Sequence, residues 1–437
     1  MGKLMYRSAV HFSDRARFDA ATLVSRPAVL CLFGLSFSVV LFARCPAMIL
    51  HPEFWAEDGV IWYADAYTAG RYSLFFPQNG YLQTISRLVA LAAQGFPLRW
   101  APSLFLAAAL IIETLTATFL VSTRMSTAWP STSGRVLFAF IYVALPNSFE
   151  TYLNLTNAQW HLAILAFLVL VSRPANSRLG KAWDLGVLAL SGLSGPYCMF
   201  LLPIAIWQLS DDPAAAELQR AVIVAICCGI QGSFLITTIG DSRSAAALGA
   251  GAGTLARIVV VQILLGGLLG MRVTSRIIHA ALFNSDDAVI TIALAGLLLC
   301  IVALWRGPPV LQKAALFAGL VLLAALWRPQ VSSMMLQWSV MTVPGAGQRY
   351  FLIPILLWIG MVMALAADPN RSLRYLGSMF VLLLFGGIAA DWSYLRLPPT
   401  DFREKAQEFA LAPPGTRIEF ASHPAGFSPM VLIKQTP

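Results

Sequence analysis

The sequence predicts an all-α polytopic membrane protein, and three observations carry that prediction. Apolar residues make up 58% of the chain against 12% charged. The mean hydropathy is +0.71, far above what a soluble globule sustains. The apolar residues fall in continuous runs near the roughly 20 residues that span a bilayer, which gives about 10–12 transmembrane helices. Barrel strands alternate instead, so a barrel is excluded.

The first apolar run covers residues 27–50 and follows a basic arm, residues 1–26, carrying Lys3, Arg7, Arg15, Arg17 and Arg26. The arm lacks a small-residue cleavage site behind a short apolar core, so the run reads as a retained span. Further runs lie at about 98–122, 135–146, 158–172, 221–239, 255–271, 288–305, 314–327, 350–367 and 373–390. Between them sit short basic clusters: Arg124 with Arg135, Arg173 with Arg178 and Lys181, Arg306 with Lys313, and Arg371 with Arg374. The positive-inside rule puts these clusters and the N-terminus in the cytoplasm and the C-terminus outside, which requires an odd number of crossings. The net charge of +9 is thereby explained without nucleic acid. The six cysteines lie in or beside apolar runs without metal-ligand spacing and read as packing residues. The Gly/Ala-rich stretch 245–253 reads as a flexible connector.

Residues 51–97 are too polar to cross a bilayer and too aromatic for a plain linker. This external loop opens with Glu53, Glu57 and Asp58, flanked by Trp55, Trp62, Tyr63 and Tyr67. Two amphipathic interfacial helices are expected in it. The first covers 59–69, with Asp58 placed to cap it, Gly70 to end it, and Asp58, Trp62 and Asp65 on one side. The second covers 81–94, with Leu82, Ile85, Leu88, Val89 and Ala92 on its apolar face and Gln83 and Arg87 off it. A second external turn holds Glu150, Asn154 and Asn157 and leads to Gln159 and His161. In residues 181–210, Ser194-Gly195-Pro196 interrupts an apolar stretch, giving either two half-helices around a polar cavity or one proline-kinked span. Residues 328–349 are external. So is the tail, 393–437, with a helix at 401–411 and strands at 416–421 and 430–434, a small α+β unit.

No HExxH, GxSxG, Walker loop or Cys/His cluster is present. The remaining polar residues gather on one face: Glu57, Asp58, Arg87, Glu150, Asn157, His161, Ser194, Gly195, Arg349 and Tyr350. A carboxylate with arginines at a lipid–water boundary suits group transfer from a lipid phosphate: the carboxylate takes a proton and the cations meet the departing phosphate. Each also has a plainer reading. Asp58 is a helix cap, Glu57 faces lipid headgroups, Glu150 is a solvated turn residue, Arg87 and Arg349 snorkel, and Asn157 with His161 starts a helix. Glu113 lies mid-run, where a charged carboxylate costs roughly 2.5–3.5 kcal/mol, and reads as bonded to a neighbouring helix.

Glu57-Asp58-Gly59 after the first span, then Ala64-Asp65-Ala66-Tyr67 and Gly70, with the Ser194-Gly195-Pro196 break, resembles the GT-C superfamily of membrane glycosyltransferases. The likeness is to the branch of aminoarabinose transferases and protein O-mannosyltransferases, over about the first half of the chain. Ser194 stands where that family's turn carries Lys. The resemblance implies a polyprenyl-phosphate-linked sugar donor, a glycan, lipid or protein acceptor, inversion at the sugar, and Asp58 or Glu57 as base. It also implies action at the outer face of a bacterial inner membrane. Some such enzymes use a divalent metal, and nothing in this sequence resembles a metal cage. A transporter or flippase for a lipid-linked glycan, or a polymerase or ligase using a diphosphate-linked donor, draws on the same residues.

Overall fold

The computed structural model describes residues 26–238, 246–394 and 397–436. The basic arm at 1–25 and the start of the Gly/Ala-rich stretch lie outside them. Most of the chain is helical. Among the described residues, seven helices are long and apolar enough to cross a membrane. That is fewer than the sequence suggested, because other apolar runs form shorter helices, among them Thr132–Val143, Leu155–Val171 and Leu352–Ala366. The chain is a multi-pass membrane protein by the apolarity of these elements. Its outward faces are apolar, as in Pro27–Arg44, where Leu32, Leu35 and Val39 are all exposed. In Asp286–Arg306 the buried stripe is Val289, Gly296 and Ala303, small residues that let helices approach closely where burial of apolar surface gives no drive.

Contacts sort the helix ends into two groups. At one end lie residues 46–97, 144–154, 193–196, 328–350 and the tail. At the other, Arg124 and Arg220 both bind Asp184, Lys313 binds Asp211, and Arg306 binds Asp368. The basic clusters that the sequence groups together all lie at this second end.

Three expectations need correction. Helix Pro27–Arg44 stops before residue 50, since Cys45 breaks it and Pro46 starts a separate short helix. The apolar run at 255–271 belongs to one of those seven helices by length and apolarity, yet it is kinked at Gly270 and both its ends meet groups of the loop end. It lies in Ala252–Ile277, where Arg257 binds Asp286 and Arg272 reaches the Ala390 and Ser393 carbonyls, all at the loop end. Gly270, at φ 78°, turns the chain there. Residues 246–251 are no free linker either, because the Ala247 and Leu248 carbonyls accept from the Gln337 and Trp338 amides.

The break at Ser194-Gly195-Pro196 resolves into an antiparallel helix pair, Arg178–Gly192 and Tyr197–Asp211. Asp184 and Gln208 both reach the region of Leu170 to Ser172 at the far end, while the turn meets the first loop. In the tail, helix Phe402–Leu411 and the antiparallel strands Arg417–Phe420 and Met430–Ile433 form as expected, with Ile418, Phe420, Met430 and Leu432 inward.

The last traverse, Arg371–Ala390, carries Gly386 and Gly387 side by side. A Cβ on Gly387 would fall against the Leu268 carbonyl, whereas one on Gly386 meets nothing within 4 Å. Gly387→Ala is therefore expected to destabilise the protein by about 1–3 kcal/mol and Gly386→Ala to be neutral, as read from thermal unfolding in detergent.

Candidate functional site

Asp58 is placed by backbone features on either side of it. Just before it, residues Phe54 to Ala56 pair with the tail: the His423 amide donates to the Phe54 carbonyl, and the Ala56 amide to the His423 carbonyl. Ala56 takes the left-handed conformation at φ 46°, a costly state for a residue with a Cβ and one that persists only where surroundings enforce it. Asp58 then opens a wide π-type turn, Asp58–Tyr63, which continues as Ala64–Ala69 and ends at Gly70, φ 55°. Turns of this width are frequent at functional sites.

Asp58 does not cap that helix. Its carboxylate accepts from Thr156 Oγ1 at 2.9 Å and from the Leu155 amide at 3.3 Å, so it sits at the N-terminus of another helix, Leu155–Val171. Trp62 Nε1 donates to the same Thr156 hydroxyl at 3.1 Å. Burial is the main influence on Asp58 and disfavours its charge; the Thr156 and Leu155 donors oppose it, and Glu57 next door adds repulsion. The outcome is a carboxyl pushed up to about 7.

Asp58 lines a cavity of about 430 Å³. Its lining mixes apolar residues, among them Met48, Pro102, Phe105 and Leu106, with the polar Arg44, His51, Glu53, Tyr394 and His423. His423 Nε2 and Glu53 Oε2 are 2.6 Å apart, and the Thr400 amide donates to Glu53 Oε1 at 3.0 Å. Burial works against the charge on Glu53, but these partners outweigh it and hold the carboxyl below its ordinary value. A mainly apolar cavity that also carries charged groups suits an amphiphile, and a carboxyl titrating near neutrality is matched to proton transfer. No family model matches the chain, and no curated protein or solved structure matches it.

The buried loop 144–154 joins the cavity to its surroundings. Leu153, left-handed at φ 61°, donates its amide to Glu113 Oε1 at 2.8 Å. Glu113 is thus bonded to a neighbouring element, as its position mid-run suggested. Arg44 donates to the Val143 and Leu145 carbonyls, and Asp391 accepts the Asn147 amide. Gln348 accepts the Glu150 amide at 2.7 Å and donates to Asn147 Oδ1 at 3.0 Å.

Several residues that the sequence assigns to the site are employed otherwise. Arg87 is 1% exposed, bound to Asp65 at 3.0 Å and stacked over Trp62. The second loop helix, Thr84–Ala93, turns Ser86, Arg87, Ala90 and Ala93 inward and leaves Leu88 exposed. Of the apolar face expected for this interfacial helix, Leu88 and Ala92 are exposed, while Arg87, off that face, is enclosed. Arg349 pairs with Glu150 and donates to the Gln330 carbonyl, so neither arginine lines the cavity of Asp58. Asn157 donates to the Glu150 carbonyl. His161 lies between Tyr142 Oη and the Thr151 carbonyl. Ser194 Oγ accepts the Ile85 amide, and Gly195, φ 123°, donates to Leu82; both tie the helix-pair turn to the loop. Tyr350 lines a separate, mainly apolar cleft of about 230 Å³. Glu57 is half-buried beside Asp58 and adds negative charge near Arg349. Among the described residues, no three His, Cys, Asp or Glu side chains converge as ligands of one metal ion would.

Sequence reasoning missed Arg44, Tyr394 and His423. The turn His423-Pro424-Ala425-Gly426 was visible, but nothing local says that it folds back over residues 54–56.

Thr156→Val removes a donor that favours the ionised form of Asp58. The titration of Asp58 is therefore expected to move upward from about 7, followed through the protonated-carboxyl band in infrared difference spectra against an Asp58→Asn control.

Proposed function

We propose that this chain is a membrane glycosyltransferase that moves a sugar from a polyprenyl-phosphate donor to a hydroxyl of a glycan, lipid or protein. The observation that carries this reading is Asp58: a buried carboxyl near neutrality, lining a mainly apolar cavity that also holds Arg44, His51, Glu53 and His423. The gathering of basic clusters at the opposite end supports placing the loop end outside and the N-terminus in the cytoplasm of a bacterial inner membrane.

In this reading the acceptor O–H gives its proton to Asp58 as the oxygen attacks the anomeric carbon. The bond from that carbon to the phosphate oxygen breaks, inverting the centre, and the carrier departs as polyprenyl phosphate. Arg44, His51 and His423 face the departing phosphate in place of Arg87 and Arg349. Arg44 contributes charge rather than hydrogen bonds, since its donors already serve backbone carbonyls. Thr156 and the helix N-terminus keep the Asp58 carboxylate ionised often enough to act as base.

With labelled polyprenyl-phosphate sugars and purified protein, transfer is expected to rise with pH through about 7 as Asp58 loses its proton. Asp58→Asn should reduce it by about 10²–10⁴ and abolish that limb of the profile. Wild-type turnover in the variant would rule out the assignment. Movement of intact lipid-linked glycan without carrier release would point to a transporter instead.

A further inference from the structure

A chain of side-chain contacts runs inward from the rim of the first loop and ends at Asp58. Asp65, with a side chain 34% exposed, holds the Arg87 guanidinium at 3.0 Å. Arg87 is enclosed and lies over the Trp62 ring, 5.0 Å from its centroid, and over Phe76 at 5.7 Å. Trp62 is buried in turn. Its Nε1 donates to Thr156 Oγ1 at 3.1 Å, and Thr156 Oγ1 donates to Asp58 Oδ1 at 2.9 Å. The wide turn Asp58–Tyr63 presents both Asp58 and Trp62 to the start of helix Leu155–Val171.

The chemistry of these groups fixes the direction of the bonds. An indole N–H donates and accepts nothing, whereas a hydroxyl has one proton and two lone pairs. Among the described residues, Thr156 Oγ1 meets one donor, Trp62, and one acceptor, Asp58. Thr156 is the second residue of its helix, so no helical carbonyl four residues back competes for its proton. Trp62 therefore fills a lone pair of Thr156 and leaves the hydroxyl proton to the carboxylate. A hydroxyl that accepts a bond is also the stronger donor. A protonated Asp58, by contrast, would have to share that oxygen with the indole in order to donate to it.

We infer that Trp62 is a positioning residue for Asp58: by donating to Thr156 it aims the Thr156 proton at the carboxylate, and the Arg87–Asp65 pair holds the indole in place. Its bearing on sugar transfer rests on the reading of Asp58 as base; the hydrogen-bond chain itself does not. Arg87 thus serves the site without touching a phosphate. The other charged and titratable groups facing Asp58 are Glu57 beside it and Arg44, His51, Glu53, Tyr394 and His423 in the cavity lining. None of these hydrogen-bonds Trp62 or Thr156 among the described residues, so removing the indole N–H leaves their contacts in place.

Trp62→Phe keeps an aromatic ring beneath Arg87 and removes the N–H. The protonated-carboxyl infrared band of the full-length protein in detergent reports the result. Because the ionised form loses support, the Asp58 titration is expected to move upward from about 7, by less than in Thr156→Val. In a Thr156→Val background the same substitution is expected to move it no further, since the chain is already cut. An unmoved titration in Trp62→Phe overturns the inference. So does an equal displacement in both backgrounds, which would reflect packing alone. If Trp62→Phe fails to fold, nitrogen-15 spectra of the tryptophan side chains supply the answer in the unsubstituted indole. One N–H resonance is expected to follow the Asp58 midpoint and to stop doing so in Asp58→Asn and in Thr156→Val; absence of any such resonance overturns the inference. Neither readout needs turnover. Coupling intact in a protein that transfers no sugar keeps the positioning role and removes the glycosyltransferase reading, and transfer without coupling does the reverse.

Discussion

A stretch of non-helical backbone buried inside a membrane protein must have its polar groups satisfied by the protein itself. Residues 144–154, largely buried and irregular apart from a 3-10 turn at Phe149–Thr151, make that demand, and much of the loop end is arranged around it. Arg44 comes from the first helix, Glu113 from the second traverse, Gln348 from the segment before Leu352–Ala366, and Asp391 from the end of the last helix. Asp58 takes part as well, through Leu155 and Thr156 where the loop re-enters a helix. The carboxylate proposed as base is thus one member of a larger set of side chains that terminate a buried loop.

That arrangement explains how a carboxyl can be deeply buried and still be reactive. Burial alone would leave Asp58 permanently protonated, and full solvation would leave it a weak base. One hydroxyl and one helix-terminal amide set it between these limits. The left-handed Ala56 and Leu153 stand on the two segments that supply the carboxylate and its donors. Conformational cost is concentrated where the geometry must be held, and the tail, pairing at His423, helps to hold it.

The apolar runs, the basic clusters, the acidic motif and the punctuation at Gly70 and at Ser194-Gly195-Pro196 were legible because each is a local signal. The site was only partly legible. Asp58 stood out, but its partners Leu155 and Thr156 are nearly a hundred residues away, and His423 is farther still. No periodicity encodes such pairings. In Thr84–Ala93 the enclosure of Arg87 was not legible, because Asp65 and Trp62, which hold it, lie 22 residues or more away. Arg87 and Arg349 were chosen as cations near a boundary, and the sequence could not show that Asp65 and Glu150 already engage them.

The Arg44 guanidinium has one further implication, which concerns biosynthesis. It donates to Trp392 and Asp391 carbonyls as well as to Val143 and Leu145, so the end of the first helix is completed by residues translated almost 350 positions later. A nascent chain can insert its early helices one by one, but this corner stays unfinished until the final segment leaves the ribosome. A chain ending before Asp391 would leave the Arg44 guanidinium without two of its four carbonyl partners.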